Sequence, residues 1–415
     1  MKWFWALVSI LITGLLVWVN VLLYRPVKKD KAWYQDVRAQ LAFLESELKV
    51  HDLGSRMQQL YPEGYVFIHA LYGLAWAELA QRDIPETQAL KSKAIEEVLY
   101  AYHAIDSDEG KWPFSQYMIP EYGAYYAGWR NYLLAKLLSI DADFRGKASL
   151  QEQFQKQCLS LAIAFREFES PYLASYPQQS WPADSFLAVA SLALHDRLFE
   201  PIYDVELKNW LKKVKSTLDP ETGMIPHKTD VTTGSTIQGS RGGSIALMLR
   251  LLAEIDTEFA LDQYQLFEAN FVSTAVGLPM VREYPKGVWG TGDIDSGPVI
   301  FGTGFAATIM GMGTYKSLGI DIAADRQYQV IHAFGLSRVQ NGERSYLLGS
   351  LPMADAFIAW TRVTPPVVMT RQEIKGSNFW RLKFQTLCML LLLLAWLPFY
   401  KKRLVNQYNQ WRRPK

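Results

Sequence analysis

Six segments that are apolar on nearly every side recur along the chain, and they constrain its fold more than any other feature. Each has apolar residues at the three- and four-residue spacing of an α-helix, and each is rich in small residues. A helix that is apolar all round is buried on all sides, and small side chains let it pack closely against its neighbours. The pattern therefore predicts six buried helices, at residues 70–79, 124–138, 187–198, 245–255, 305–318 and 354–360.

The spacing of these segments is nearly constant. One apolar reference residue in each segment follows the last after 54, 62, 58, 60 and 52 residues, and more polar, amphipathic segments lie between them; the reference residues are Leu71, Tyr125, Leu187, Ile245, Phe305 and Phe357. A buried helix followed by a surface helix, repeated at a nearly constant period, predicts six helical hairpins. We therefore expect an all-α protein, an (α/α)6 toroid over residues 60–365 with the apolar helices inside. An open α-solenoid is the alternative, and no run with the alternating pattern of a β-strand is evident.

Uncharged apolar blocks lie at both ends of the chain. Residues 3–24 are long enough to cross a hydrocarbon core of about 30 Å, which predicts a transmembrane anchor over residues 1–25. A cleaved signal peptide is the alternative, although no small-residue cleavage site follows. Residues 384–400, ended by Pro398, predict a second transmembrane helix, for which a buried core helix is the alternative. We expect a juxtamembrane helical linker at residues 26–59 and a second linker at 366–383.

Basic residues beside the apolar blocks indicate the topology. The tail at residues 401–415 has six basic residues and no acidic one, which predicts a cytoplasmic C-terminus. Two spans then place the N-terminus there too, and the central domain outside the cytoplasm of a bacterial-type inner (plasma) membrane. Arg25, Lys28, Lys29 and Lys31, on the domain side of the first span, argue the opposite way, and we give the tail more weight.

Charge and motif content exclude several classes of function. Lysine and arginine number 43 against 41 acidic residues, so no basic excess is present to bind nucleic acid. The sequence has no glycine-rich phosphate loop, no dinucleotide fingerprint and no metal-binding motif, and its two cysteines, Cys158 and Cys388, cannot build a zinc site. We therefore expect no cofactor, no metal ion and no nucleic-acid partner.

The loop before each predicted buried helix combines turn-forming residues, aromatic residues and a few polar groups. If the ring closes, all the inner helices run in one direction, and their N-termini converge on a single mouth where helix dipoles favour anions. Carboxylates in an aromatic-walled cleft suit acid–base chemistry on glycosides. The candidate catalytic residues are Asp184, Asp295 and Glu121, and the candidate substrate-binding residues are His69, Tyr122, Tyr176, Trp181, Arg241, Trp289 and Asp293.

Each candidate also has a purely structural explanation. Asp184 and Asp295 precede apolar helices and can serve as N-caps. Glu121 suits a helix dipole without any function, and His69 among apolar neighbours is typical of a core histidine. Arg241, between glycines, can pair with one of the acids. The recurrence of such residues at one position of a repeat favours a site more than any single spacing does.

Parts of the sequence resemble two groups of known proteins. Over about residues 60–365, the repeat and its acid-bearing loops resemble the six-hairpin (α/α)6 enzymes, which include many glycosidases and polysaccharide lyases. A more local similarity is to linalool dehydratase-isomerase-like proteins, at residues 65–77, 175–196, 292–304 and 354–360. That second resemblance implies a toroid acting on a terpene alcohol in an apolar pocket, with acid–base residues and two cysteines. The corresponding loop here, residues 175–185, has no cysteine, which leaves Asp184 as its acidic group.

Three functions are compatible with these features. The first is a membrane-anchored enzyme that uses carboxylate acid–base chemistry on an envelope or exported glycan. The second is a linalool dehydratase-isomerase-like lyase or isomerase that takes an apolar alcohol or lipid from the bilayer. The third is a non-catalytic binding or scaffold protein of a cell-envelope complex. Several acids and aromatic residues favour the first, so the expected partners are the membrane and a glycan or lipid-like small molecule.

Overall fold

The structure, a computed structural model, describes residues 2–82, 87–145, 147–294, 296–368 and 380–411. Within these ranges it contains seventeen α-helices. They are α1 (Lys2–Tyr24), α2 (Asp30–Lys49), α3 (Leu53–Leu60), α4 (Gly64–Ala80), α5 (Thr87–Ile105), α6 (Asp108–Lys111), α7 (Gly123–Leu138), α8 (Ala142–Arg145), α9 (Ala148–Glu167), α10 (Pro182–Leu198), α11 (Asp204–Ser216), α12 (Gly242–Ile255), α13 (Thr257–Asn270), α14 (Phe305–Ser317), α15 (Asp321–Phe334), α16 (Pro352–Val363) and α17 (Trp380–Trp411).

Six of these helices form a closed inner ring. In the order α4, α7, α10, α12, α14 and α16, each packs against the next, and α16 packs against α4. The contact between α16 and α4 excludes the open solenoid and confirms the predicted (α/α)6 toroid. Small residues permit the close approach: a Cβ atom on Gly128 of α7 would lie 2.8 Å from the backbone oxygen of Asp184 in α10.

An outer layer of helices surrounds the ring. The helices α5, α9, α11, α13 and α15 each follow an inner helix in sequence and pack against it. The sixth outer position is filled by α2, which packs against both α16 and α4. The sequence predicted a juxtamembrane linker at residues 26–59, whereas α2, within that range, is part of the outer layer of the toroid. Asp36 of α2 accepts a hydrogen bond from Arg362 of α16 at 2.7 Å, so α2 closes the outer layer through a buried ion pair.

Buried charges close the ring at the C-terminal ends of the inner helices. Glu78 of α4 pairs with Arg250 of α12, which lies three positions away in the ring and therefore on its opposite side. Lys136 of α7 donates to Glu254 of α12 at 2.7 Å. The guanidinium of Arg250 also lies 3.6 Å from the ring centroid of Trp360 in α16. These contacts join four inner helices across the centre of the ring.

Short strands shape the loops that lead into the inner helices, where the sequence showed no strand pattern. In the described residues they form four antiparallel pairs, none longer than three residues. They are β1 (Lys228–Thr229) with β2 (Thr236–Gln238), β3 (Val272–Ser273) with β4 (Met280–Val281), β5 (Val299–Ile300) with β6 (Thr303–Gly304), and β7 (Arg338–Gln340) with β8 (Glu343–Ser345). All lie on the side where the inner helices begin, which we call the mouth face.

Proline is favoured in the first turn of a helix, and from the sequence we expect Pro120, Pro182 and Pro298 to lie in the first turns of inner helices. Pro182 does begin α10. However, α7 begins at Gly123 and α14 at Phe305, so Pro120 and Pro298 lie in the preceding loops rather than in the helices. Both helices therefore begin later in the chain than their proline positions indicate.

Two terminal helices are long and apolar enough to cross a membrane, Lys2–Tyr24 and Trp380–Tyr400. They pack against each other, since the Ser9 hydroxyl donates to the Ala395 backbone oxygen at 2.6 Å. The last turns of α1 and the first turns of α17 also pack against α15. The helix α17 continues through Pro398 to Trp411, whereas the sequence predicted that Pro398 ends it.

We expect the substitution Glu78→Gln to lower the free energy of unfolding by about 3 kcal/mol, because it leaves the Arg250 guanidinium buried without its counter-ion. Urea unfolding of the detergent-solubilised full chain, followed by circular dichroism, measures this loss. The matched control is Lys208→Met, which breaks the exposed Lys208–Asp204 pair on α11 and should cost less than about 1 kcal/mol. Equal losses in the two variants would contradict a structural role for the buried pair.

Candidate active site

A cavity of about 260 Å³ lies at the mouth face. All six inner helices contribute to its wall, each through its first two turns or the loop before it. The predicted convergence of the inner N-termini therefore produces one shared cavity. Among the predicted site residues, the cavity is lined by Tyr176, Trp181, Asp184 and Arg241.

Asp184 lies in the first turn of α10 and is buried, with 7% of its surface exposed. Its Oδ2 accepts a hydrogen bond from the Ser175 hydroxyl at 2.5 Å. The N-cap residue of α10 is Trp181, and its side chain makes no capping bond. Tyr176 and Trp181 pack edge to face beside Asp184, with ring centroids 5.7 Å apart. The carboxylate is thus held by a loop side chain at an aromatic wall.

Arg241 connects two carboxylates on the other side of the cavity. Its Nε donates to Glu283 Oε1 at 2.8 Å, and its Nη1 donates to Asp293 Oδ2 at 2.5 Å. Burial raises the pKa of Asp293, but hydrogen bonds from Arg241 and Ser296 outweigh this and hold it below its usual range. The pairing anticipated for Arg241 is therefore present, and it brings a second acid, Glu283, to the cavity wall.

Glu283 was not among the predicted residues, yet it has the most distinctive environment in the site. Burial raises the pKa of its carboxyl group to about 7, although the nearby Arg241 lowers it. Its Oε2 is buried and has no hydrogen-bond partner of normal geometry among the described residues, although the Gly243 N–H acts to lower the pKa. Because Oε1 accepts from Arg241, Oε2 is the oxygen that remains available to carry a proton. Such a group can deliver a proton near neutral pH.

The cavity wall also carries a further carboxylate and a buried hydroxyl. Tyr125 is buried in α7, and its hydroxyl has no hydrogen-bond partner among the described residues. Burial first, and then the charges of neighbours that include Glu63 and Asp184, raise the pKa of Tyr125 well above its usual value. Both carboxylates therefore lie close to one hydroxyl at the cavity wall. Glu63 occupies the N-cap position of α4, and the repeat-position argument that selected Asp184 applies to it as well.

His227 is a further lining residue that was not among the predicted site residues. Its Nδ1 lies 2.6 Å from the Ser244 hydroxyl oxygen. Burial and the positive charge of Arg241 lower its pKa to about 4, so the imidazole is neutral at physiological pH. His227 lies beside β1, at no recurring position of the repeat, and no local pattern in the sequence marks it.

The cavity is apolar one helical turn below these polar groups. Phe67 packs against Trp129 and Phe357 with ring centroids 5.0 and 5.1 Å apart. Leu247 and Met310 complete this apolar floor. A bound molecule would therefore meet ionisable groups at the mouth and aromatic and aliphatic surface beneath them.

Several predicted residues lie away from the cavity. Glu121 and Tyr122 line a separate groove between α7 and α9, because α7 begins after them and leaves them on the outer side. His69 is buried, donates from Nδ1 to the Tyr65 backbone oxygen at 2.7 Å, and is the core histidine of the structural explanation. Burial lowers its pKa to about 4.

The loop before α14 holds the remaining predicted residues. Trp289 is 74% exposed, and the Arg282 guanidinium lies over its ring. Asp293 is not a lining residue of the cavity, but it contacts two residues that are, Arg241 and Ser296. Asp295 lies outside the described residues, although its neighbours Ile294 and Ser296 line the cavity.

Comparisons with known proteins give likeness of fold only. No family model matches the chain, and no curated protein matches it, so the similarity to linalool dehydratase-isomerase-like proteins gains no support. A GH76 α-mannanase from Bacteroides thetaiotaomicron matches in structure at 11% identity and a TM-score of 0.44, over 72% of this chain and 84% of that chain. A polysaccharide lyase matches at 10% identity and a TM-score of 0.45, over 79% of this chain and 97% of that chain.

We expect the contribution of Glu283 to the free energy of unfolding to decrease as pH rises, because its pKa is higher in the folded chain than the ordinary value of 4.5. Relative to a Glu283→Gln variant, the unfolding free energy of the parent should fall by about 3 kcal/mol between about pH 4.5 and 8. Denaturant titrations of both proteins across this range measure the difference. Buried His69 and His227, with lowered pKa values, produce the opposite slope, but they do so equally in both proteins.

The control for this titration is Glu96→Gln, which alters a carboxylate on α5 that is 68% exposed. The difference between Glu283→Gln and the parent should change more steeply with pH than the difference measured for this exposed control. Equal pH dependence of the two variants would contradict a raised pKa for Glu283.

Proposed function

We propose that this chain is a membrane-anchored enzyme that uses carboxylate acid–base chemistry on a glycan. The observation that carries the proposal is the presence of two carboxyl groups with different environments in one cavity. Burial raises the pKa of Glu283 to about 7, and Asp184, which accepts a hydrogen bond from Ser175, lines the same cavity. Cleavage of a glycosidic bond needs one carboxyl group of each kind.

In this mechanism, Glu283 donates its Oε2 proton to the leaving oxygen of the substrate. Asp184, oriented by Ser175, attacks the anomeric carbon or activates a water molecule. Arg241 keeps hold of Oε1, so that Glu283 is pointed correctly and its carboxylate is stabilised once the proton has left. The faces of Tyr176 and Trp181 provide the aromatic surface on which sugar rings stack.

Placement at a membrane is part of the proposal. The helices α1 and α17 are the anchors, and the basic tail at residues 401–415 places the C-terminus in the cytoplasm. The toroid then lies outside the cytoplasm of a bacterial-type plasma membrane. Its substrate is accordingly an envelope or exported glycan.

A second function is favoured by the apolar floor of the cavity. Phe67, Trp129 and Phe357 would suit the hydrocarbon part of an apolar alcohol, with its hydroxyl at the carboxylates above. This is the lyase or isomerase that the linalool dehydratase-isomerase-like resemblance implies. The loop at residues 175–185 has no cysteine, so Asp184 and Glu283 would supply the acid–base groups.

We expect Glu283→Gln and Asp184→Asn each to lower kcat/KM on a cleaved glycan by about 10²–10⁴-fold, because each removes a proton-transfer or nucleophilic group. The measurement is turnover of a panel of cell-envelope oligosaccharides by the full chain in detergent. The kcat/KM of the parent should fall as pH rises through about 7, because Glu283 loses its proton. The residual kcat/KM of Glu283→Gln should not show this fall.

Glu96→Gln, on the exposed side of α5, is the matched carboxylate control and should keep full activity. Unchanged glycan turnover in both site variants would refute the assigned roles. Turnover of a prenyl alcohol, with no activity on any glycan, would favour the second function.

A further inference from the structure

The outer helix α15 runs beside both candidate spans and points in the same direction as α17. At one level, Gln329 of α15 donates to the Arg25 backbone oxygen and accepts from Arg381, both at 3.1 Å. Further along, the Phe334 ring lies 6.2 Å from the ring of Phe384. The C-terminal end of α15 therefore lies level with the first turns of the membrane-crossing part of α17.

That end of α15 belongs to the mouth face. Outer helices run opposite to inner ones, so each outer helix ends where the next inner helix begins. The same apolar cluster that joins Leu22 and Trp380 also contains Leu278, from the loop between β3 and β4, with Met280 packed against it. The mouth face is therefore turned towards the side on which α1 and α17 enter the bilayer.

The mouth loops expose large apolar side chains. More than half of the surface is exposed on each of Trp289, Ile294, Ile300, Phe301, Val339 and Leu348. The β5–β6 hairpin, which carries Ile300 and Phe301, contacts the residues packed on the span cluster, because Met280 Sδ lies 3.8 Å from the Thr303 hydroxyl. Exposed apolar patches of this kind mark interaction surfaces, and tryptophan is enriched where protein meets lipid headgroups.

Basic residues lie beside this surface. Arg25 lines a small cavity at the end of α1, together with Lys28 and Arg344, which both pair with Asp36. Lys383 on α17 and Arg338 on β7 are exposed. Positive charge next to an apolar surface complements anionic lipid headgroups.

We propose that the mouth loops sit in the surface of the bilayer that α1 and α17 span, and that the cavity takes its substrate from that surface. The substrate is a saccharide carried on a lipid, and its saccharide part rests on the proposed function. The saccharide enters between Asp184 and Glu283 while the lipid stays in the bilayer below the mouth. Ile294, which lines the cavity and is also exposed, connects the two environments.

The position of the mouth is tested with single added cysteines carrying a fluorescent label. Phe301→Cys is on the mouth face, and Ile322→Cys is the matched control at the other end of α15, about 18 Å from Phe334. The full chain is reconstituted in phosphatidylethanolamine–phosphatidylglycerol vesicles containing spin-labelled lipid. The native Cys158 and Cys388 are buried, and the unsubstituted chain reports any label they take up.

We expect several-fold stronger quenching of the label at position 301 than at position 322. Equal quenching at the two positions, or none at either, would overturn the bilayer placement. Circular dichroism and thermal unfolding of each labelled chain confirm that it is folded, and Trp289→Cys, on a second mouth loop, repeats the test independently.

The substrate class is tested with one glycan pool in two forms. Lipid-linked saccharides are extracted from bacterial membranes and incorporated into the same vesicles, and half of the pool is freed from lipid by mild acid. We expect turnover of the lipid-linked form and a several-fold lower rate on the freed form. Equal rates would overturn the lipid-borne substrate, and turnover of neither form would overturn the proposed glycan chemistry together with it. The quenching experiment tests only the placement of the mouth loops in the bilayer, so its result does not depend on turnover of either form.

Discussion

Closure of the inner ring is the constraint on which the rest of the structure depends. The buried pair between Glu78 and Arg250 joins opposite sides of the ring, and Trp360 covers the guanidinium. This cluster occupies the end at which the inner helices finish, whereas the cavity lies where they begin. Closure also aligns all six helix starts, and it is this alignment that turns separate loops into one cavity wall.

The chemistry of the cavity arises from unequal burial around one arginine. Arg241 holds both Glu283 and Asp293, yet the pKa of Glu283 is raised to about 7 while that of Asp293 is held below its usual range. Glu283 is almost fully buried, so desolvation of its charge outweighs the attraction of the guanidinium. Asp293 is nearly half exposed and gains hydrogen bonds from Arg241 and Ser296. The same cation thus accompanies one acid with a raised pKa and one with a lowered pKa.

Much of the fold and part of the site follow from local sequence pattern. The period of the apolar segments predicts the six inner helices, and the loop before α10 points to Asp184 because that loop recurs in the repeat. The position of α2 in the outer layer could not be predicted from local pattern. This helix precedes the repeat in sequence but packs against α16, the last inner helix. Glu283 and His227 also lie outside any periodic pattern, since their importance arises from contacts with Arg241. Glu121 shows the opposite case. Its recurring loop position predicted a place at the mouth, but α7 begins only at Gly123, and Glu121 therefore lies outside the cavity.

By itself, the sequence determined that the chain has two apolar ends and a central set of buried, small-residue helices at a constant interval. Helical periodicity and hydrophobic burial act over a few residues, so a single chain displays them directly. Tertiary structure alone decided which carboxylates share a cavity, which of them is protonated at neutral pH, and which way the mouth faces. Those properties depend on desolvation and on contacts between residues far apart in the chain, such as Arg241 with Glu283 and Phe334 with Phe384.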